Sequence, residues 1–302
     1  MNKFYIWFVR AALVTMSKLP LRFHYLMSDL IAWNLRKVFG YRMDVIFTNI
    51  ARAFPHLTYG EVKKIAADFY THLGEIFAEA IWFSGSSYER LRRNGIVTVM
   101  NPEVINHAYE VAPSVTILST HCGNWELLGG LLGYDTADGK KICFGEKAIS
   151  VVYKKLRSDV FDRVFALNRI APLEVVDTEC EVESRNILRF AIKHRGVKRV
   201  YIYPTDQAPY QSTGRHPMGA FMNQETYAML GSAVVANKLS HAVVYMKMKR
   251  VERGKYEMSF INICDDASKM APEDIMRKYY DHLEAEINET PCNWLWSHKR
   301  WK

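Results

Sequence analysis

Apolar and polar positions follow two regimes along this 302-residue chain. Through about residue 83 the pattern is helical. Pro20 separates two apolar stretches, and Gly40 ends the second. The stretch 58–83 carries apolar residues at Val62, Ile65, Phe69, Leu73, Ile76 and Phe77, a stripe with helical period. Thr58 and Glu61 stand at its start with the spacing of a capping box. "SGSSYERLRRNG" then breaks the pattern, which sets an expected boundary between a helical region, 1–86, and a second domain, 87–302.

From residue 111 short β-branched runs alternate with helical ones. Strands are expected at "SVTILST" (114–120), "AISVVYK" (148–154), "PLEVVD" (172–177), "KRVYIYPTD" (198–206), "AVVYMKMK" (242–249) and "YEMSFINI" (256–263). Helices are expected at 124–134, 158–170, 182–194 (closed by Gly196), 225–239 and Pro272–Glu289. Alternation of this kind predicts an α/β fold: a mostly parallel central sheet flanked by helices, with its last two strands close enough to pair antiparallel.

Composition narrows the class. Hydrophobic residues make up 49%, enough for a packed core. Lys and Arg total 40 against 32 Asp and Glu, a net charge of +8 that suits an anionic partner. The aromatic residues form no recognisable nucleic-acid module, so nucleic acid is disfavoured. The first 40 residues mix Phe, Tyr, Trp, Leu and Ile with Arg10, Lys18, Arg22, Arg36 and Lys37, as in helices that lie in a membrane interface. Amphipathic helices packed on the domain have the same pattern. No uncharged run reaches the length of a membrane-crossing helix, and no secretory signal is evident. The five cysteines, Cys122, Cys143, Cys180, Cys264 and Cys292, form no CxxC and no zinc-ligand cluster; they read as free thiols in a reducing compartment.

The pattern His, four residues, then an acid occurs three times. His24 and Asp29 lie within a continuous helix, about 140° apart around its axis. In the second pair Glu61 is already accounted for by the capping box, and His56 sits in a loop. Only "HCGNWE", His121–Glu126, follows directly on a strand, where α/β sheets bind ligands. Gly123 permits a tight turn and Asn124 is a good N-cap, so the backbone bends between His121 and Glu126. Two readings stand here. The carboxylate orients the imidazole of a catalytic base; or His121 ends the strand while Glu126 complements a helix dipole. Cys122, pointing away from its neighbour, reads as a buried spectator.

"THCGNWE" resembles the first signature of the bacterial lipid A late acyltransferases, a branch of the lysophospholipid and glycerophosphate acyltransferase superfamily. Further blocks agree in order: "NIARAFP" (Asn49–Pro55), "VVYKKL" (Val151–Leu156) followed by Arg169, "VYIYPTDQ" (Val200–Gln207) and "NWLWSHKRWK" (Asn293–Lys302). The resemblance implies a glycerophosphate acyltransferase-like fold with a membrane-associating N-terminus at the cytoplasmic face of the bacterial inner membrane. It implies acyl transfer from a thioester on acyl carrier protein to a hydroxyl of a lipid A precursor, in lipopolysaccharide synthesis, without metal or redox cofactor. An aminolipid, a lysophospholipid or another glycolipid as acceptor, or a basic lipid-binding protein without catalysis, are the alternatives. By resemblance His121 is the general base and Glu126 its support, with Asn124, Lys154, Arg169, Asp206 and Gln207 at the substrate site. His298, Lys299 and Arg300 between Trp296 and Trp301 suit a headgroup boundary; the plainer reading is that the tryptophans pack the sheet and the cations are solvated, and the two are compatible. Two departures bear on the pockets: "FMNQET" (Phe221–Thr226), where the family often has Phe-Phe-Gly, and Cys122, where it is often aromatic.

Overall fold

A computed structural model describes residues 2–155, 158–174, 180–209 and 216–301. Helices α1 (Asn2–Ser17), α2 (Leu21–Trp33), α3 (Met43–Ala53), α4 (Tyr59–Phe83) and α5 (Tyr88–Asn94) open the chain. There follow β1 (Val97–Val99), α6 (Pro102–Val111), β2 (Val115–Ser119), β3 (Asp135–Thr136), β4 (Ile149–Tyr153), α7 (Asp159–Arg169), β5 (Glu181–Glu183) and α8 (Ile187–Lys193). The remainder is β6 (Val200–Pro204), β7 (His216–Phe221), β8 (Gln224–Ala228), α9 (Gly231–Lys238), β9 (Ala242–Glu252), β10 (Lys255–Cys264) and α10 (Pro272–Glu289). The expected capping box is present: Thr58 Oγ1 accepts from Glu61 N, and Thr58 N donates to Glu61 at 2.8 Å.

The central sheet runs β3-β1-β10-β9-β2-β6-β4-β5. Its strands β9, β2, β6, β4 and β5 are parallel to one another. The other three, β10, β1 and β3, run the opposite way, and the two blocks meet in the antiparallel β9–β10 hairpin. A mostly parallel sheet flanked by helices is therefore the architecture. Strand β2 is buried at every residue, as a central parallel strand must be. Its side chains alternate between two cores. Val115 and Ile117 join Val200, Ile202 and Val244 on one face; Leu118 joins Tyr201, Tyr203, Val243 and Tyr245 on the other. Helix α4 supplies both cores, with Phe69, Tyr70 and Leu73 in one and Trp82 and Phe83 in the other. Phe77, placed in its stripe from the sequence, instead faces outward, 47% exposed.

Two expected helices differ. Residues 225–239 begin as a strand: Met222 and Asn223 adopt φ of +50° and +59°, a two-residue turn that folds β8 back on β7. Only Gly231–Lys238 is helical there. Residues 125–133 form a 3-10 helix rather than an α-helix. A Cβ on Gly129 would lie 1.7 Å from the Arg169 carbonyl oxygen, so this segment follows a close backbone approach rather than its own propensity. The break at 84–95 contains α5. The strand expected at 172–177 falls partly outside the described residues, as does Leu156.

Much of the C-terminal block is core, while Lys299 stays exposed. Trp294 and Trp296 are buried, and Arg300 is buried as well, donating to Tyr227 O and to Tyr280 Oη, both at 2.8 Å. Asn49 in "NIARAFP" donates to the carbonyls of Trp296 and His298 at 2.9 Å, so two of the resembling blocks hold each other. At the other end, α1 and α2 leave Phe4, Trp7, Phe8, Leu26, Leu30 and Trp33 exposed. Among the described residues no single helix is long and apolar enough to cross a membrane; residues 3–17 and 21–38 pass that test only together, bent by 116°.

Candidate active site

Sheet register builds the site. Strands β2 and β6 are parallel neighbours, and Ser119 lies opposite Pro204. Thr205 N donates to Ser119 O at 3.2 Å, extending the ladder one step. Two residues past the last strand pair, His121 and Asp206 are therefore level. His121 Nδ1 and Asp206 Oδ1 are 2.6 Å apart. The other oxygen, Oδ2, accepts from His121 N at 3.1 Å and from Trp294 Nε1 at 2.8 Å. The residue expected to shape the site is thus the carboxylate partner of the imidazole.

Burial pushes the Asp206 carboxyl up, but His121 and the hydrogen bonds from Trp294 and the His121 backbone outweigh it and hold its pKa at about 2. Burial pushes His121 down; the Asp206 charge and hydrogen bond, then the Glu126 charge, reverse this and leave its pKa raised. An ionised Asp206 can only accept, so Nδ1 carries the proton and Nε2 presents its lone pair. That lone pair accepts from Gln207 Nε2 at 3.2 Å. The imidazole keeps 14% of its surface exposed while Asp206 keeps 2%. A base oriented from behind, with only the Gln207 amide at its second nitrogen, can take a proton from a hydroxyl that displaces that amide.

Residues 1–302, the whole chain, match the family model described as bacterial lipid A biosynthesis acyltransferase. The chain belongs to that family. It is accordingly an acyltransferase of lipid A biosynthesis. A search of curated proteins finds no match.

The acyltransferase arranges its other predicted site residues unequally. Glu126 is close enough to His121 for their charges to interact, but no hydrogen bond joins them. Its Oε1 accepts from Trp125 Nε1 at 3.0 Å, and its Oε2 is buried without a hydrogen-bond partner. Burial raises the Glu126 pKa; Arg169, Trp125 and His121 act in the opposite direction. Trp125 packs edge-on against the imidazole, with centroids 5.0 Å apart. Arg169 ends α7, donates to Glu181 at 3.1 Å and lies over the Tyr153 ring. Lys154 is exposed just beyond β4. Asn124 is fully buried, donating to Glu79 Oε2 at 2.7 Å and accepting from Glu126 N at 3.1 Å. Both ends of its amide are thus committed to protein groups, which is the work of a brace rather than of a substrate contact.

Gly123 has φ of +60°, and a Cβ there would lie 2.6 Å from Met248 O, so the tight turn needs glycine. Cys122 is buried and its thiol pKa is raised by that burial, which fits a spectator. Sequence reasoning missed three contacts around this loop. Trp294 anchors Asp206, His72 Nε2 donates to Gly123 O at 3.1 Å, and Glu79 holds Asn124. A signal for the last two existed: His72, Glu75 and Glu79 lie at helical spacing in line with Phe83 on an otherwise apolar face.

Proposed function

We propose that the chain moves a fatty acyl group from a thioester on acyl carrier protein to a hydroxyl of a lipid A precursor at the cytoplasmic face of the bacterial inner membrane. The observation that carries this reading is the His121–Asp206 pair at 2.6 Å with Nε2 left as the basic nitrogen. The substrate hydroxyl displaces the Gln207 amide at Nε2. As its oxygen attacks the thioester carbonyl, the proton passes to His121, and Asp206 stabilises the imidazolium. The tetrahedral adduct collapses, the C–S bond breaks, and His121 returns the proton to the leaving thiolate. Glu126 supports the imidazolium by its charge and keeps one oxygen for the acceptor. Arg169 and Lys154 provide cations for phosphates or the oxyanion.

In the same reading residues 1–86 form the membrane-associating region, and 87–302 the α/β acyltransferase domain. The exposed aromatic and aliphatic side chains of α1 and α2 support an interfacial position. The net charge of +8 favours both an acidic carrier protein and an anionic membrane.

Mass spectrometry of total lipids from a deletion strain, complemented with wild type or His121→Ala, tests this. Lipid A should lose one acyl chain, and only wild type should restore it. Unchanged lipid A with another lipid lacking its chain would replace the acceptor by an aminolipid, a lysophospholipid or another glycolipid. Restoration by His121→Ala would remove His121 as the base.

A further inference from the structure

The catalytic loop hangs on a buried carboxyl group that lies outside the motif. Glu79, in the last two turns of α4, is fully buried. Three donors from three different elements converge on it: Asn124 Nδ2 at 2.7 Å and Tyr256 Oη at 2.8 Å on Oε2, and Tyr25 Oη at 2.9 Å on Oε1. Tyr25 is on α2 and Tyr256 on β10. Such a group costs much to bury and is kept only when its partners are fixed. One partner is the residue midway between His121 and Glu126. Asn124 Oδ1 accepts the Glu126 N–H, so the amide passes the position of Glu79 directly to the backbone of Glu126. Two turns earlier, His72 holds the carbonyl of Gly123. Nothing in the chemistry of acyl transfer calls on Glu79 itself, and all its contacts lead to the loop or to the elements that fix α4.

We propose that Glu79 is a positioning residue for acyl transfer: by gripping Asn124 it sets the turn that places Glu126 against the His121–Asp206 pair. This rests on His121 being the base. It requires that the grip, rather than the charge of Glu79, matters. A glutamine at 79 can present its oxygen to Asn124 and Tyr256 and its amide to the Tyr25 hydroxyl, so it keeps every contact. A leucine keeps volume and loses all three. Serine at 124 still caps Glu126 N but is too short to reach Glu79.

The test is steady-state kinetics of the full chain with acylated carrier protein and a lipid A precursor in mixed micelles, rates being referred to folded enzyme. Glu79→Leu and Asn124→Ser should each lower kcat about tenfold and raise KM alongside, the pattern expected when Glu126, which also meets the acceptor, is misplaced. The double variant should lose no more than either single change, the mark of one shared interaction. Glu79→Gln should keep kcat within about threefold of wild type, because its hydrogen bonds survive. If Glu79→Leu does not fold, Asn124→Ser against Glu79→Gln decides. An unchanged kcat in Asn124→Ser, additive losses in the double variant, or a Glu79→Gln as impaired as Glu79→Leu would each overturn the proposal. His121→Ala is measured alongside. If it turns over, the base assignment fails and this proposal with it; if it is inactive while Asn124→Ser is not, only the positioning role fails.

Discussion

The end of β6 and the 3-10 turn beginning at Trp125 each bring a carboxyl group to the same histidine, and they do so in opposite ways. At the end of β6, Asp206 uses both oxygens, for the imidazole, the His121 backbone and the Trp294 indole, and its pKa is held at about 2. In the turn, Glu126 satisfies one oxygen only and its pKa is raised by burial. A carboxylate with both oxygens committed fixes a tautomer and an angle. A buried carboxyl with an empty oxygen is costly unless something arrives to use it. The contrast separates two tasks that the His-x4-acid spacing merges. Asp206 orients the imidazole through a hydrogen bond, and Glu126 reaches it by charge alone.

Breaking the centre should have the largest effect. His121→Ala should lower kcat on the order of 10³-fold, the range of a lost general base, with the fold intact by circular dichroism. Asp206→Asn comes next, at about 10²-fold, because an amide no longer enforces the tautomer that leaves Nε2 basic. Glu126→Gln should cost less, about tenfold, and should raise KM alongside, as expected for a group that also meets the acceptor. If Glu126→Gln proves more damaging than Asp206→Asn, the division of tasks is reversed. The smallest effect on rate belongs to Trp294→Phe, which keeps an aromatic ring, smaller than the indole, and removes one hydrogen bond to Asp206. Turnover should fall only a few-fold, and unfolding in denaturant should show a loss of about 2 kcal/mol, typical of a hydrogen bond to a charged group.

The same contrast marks what the sequence discloses. The strands at 114–120 and 198–206, the helix Pro272–Glu289 and the capping box at Thr58 all follow from local pattern, and the structure places them where expected. "HCGNWE" stood out because it follows a strand. The partnership of His121 with Asp206 did not, since it depends on β2 and β6 being neighbours with Ser119 opposite Pro204. Strand order is set by long-range packing, and no spacing within either segment encodes it. For the same reason the place of the tail's tryptophans was not legible: Trp294 and Trp296 look interfacial until Asp206 and Asn49 are seen to bind them inside. The helix expected over 225–239 lost its first part to a turn at Met222 and Asn223, whose left-handed φ values carry little local signal. On α4, by contrast, two acids on an apolar face were visible in the sequence and were the trace of the brace behind the loop.

The most direct measurement is the pH dependence of kcat/KM for wild type and Asp206→Asn. Asp206 raises the His121 pKa, so the neutral base prevails only above that raised value, and wild-type activity should climb with pH through a midpoint above the usual 6.5 of histidine. Removing the Asp206 charge lowers that pKa, so the acid limb of Asp206→Asn should move to lower pH even as its plateau falls. An acid limb that stays where it is in Asp206→Asn, and moves in Glu126→Gln instead, would contradict the account and return the histidine to Glu126.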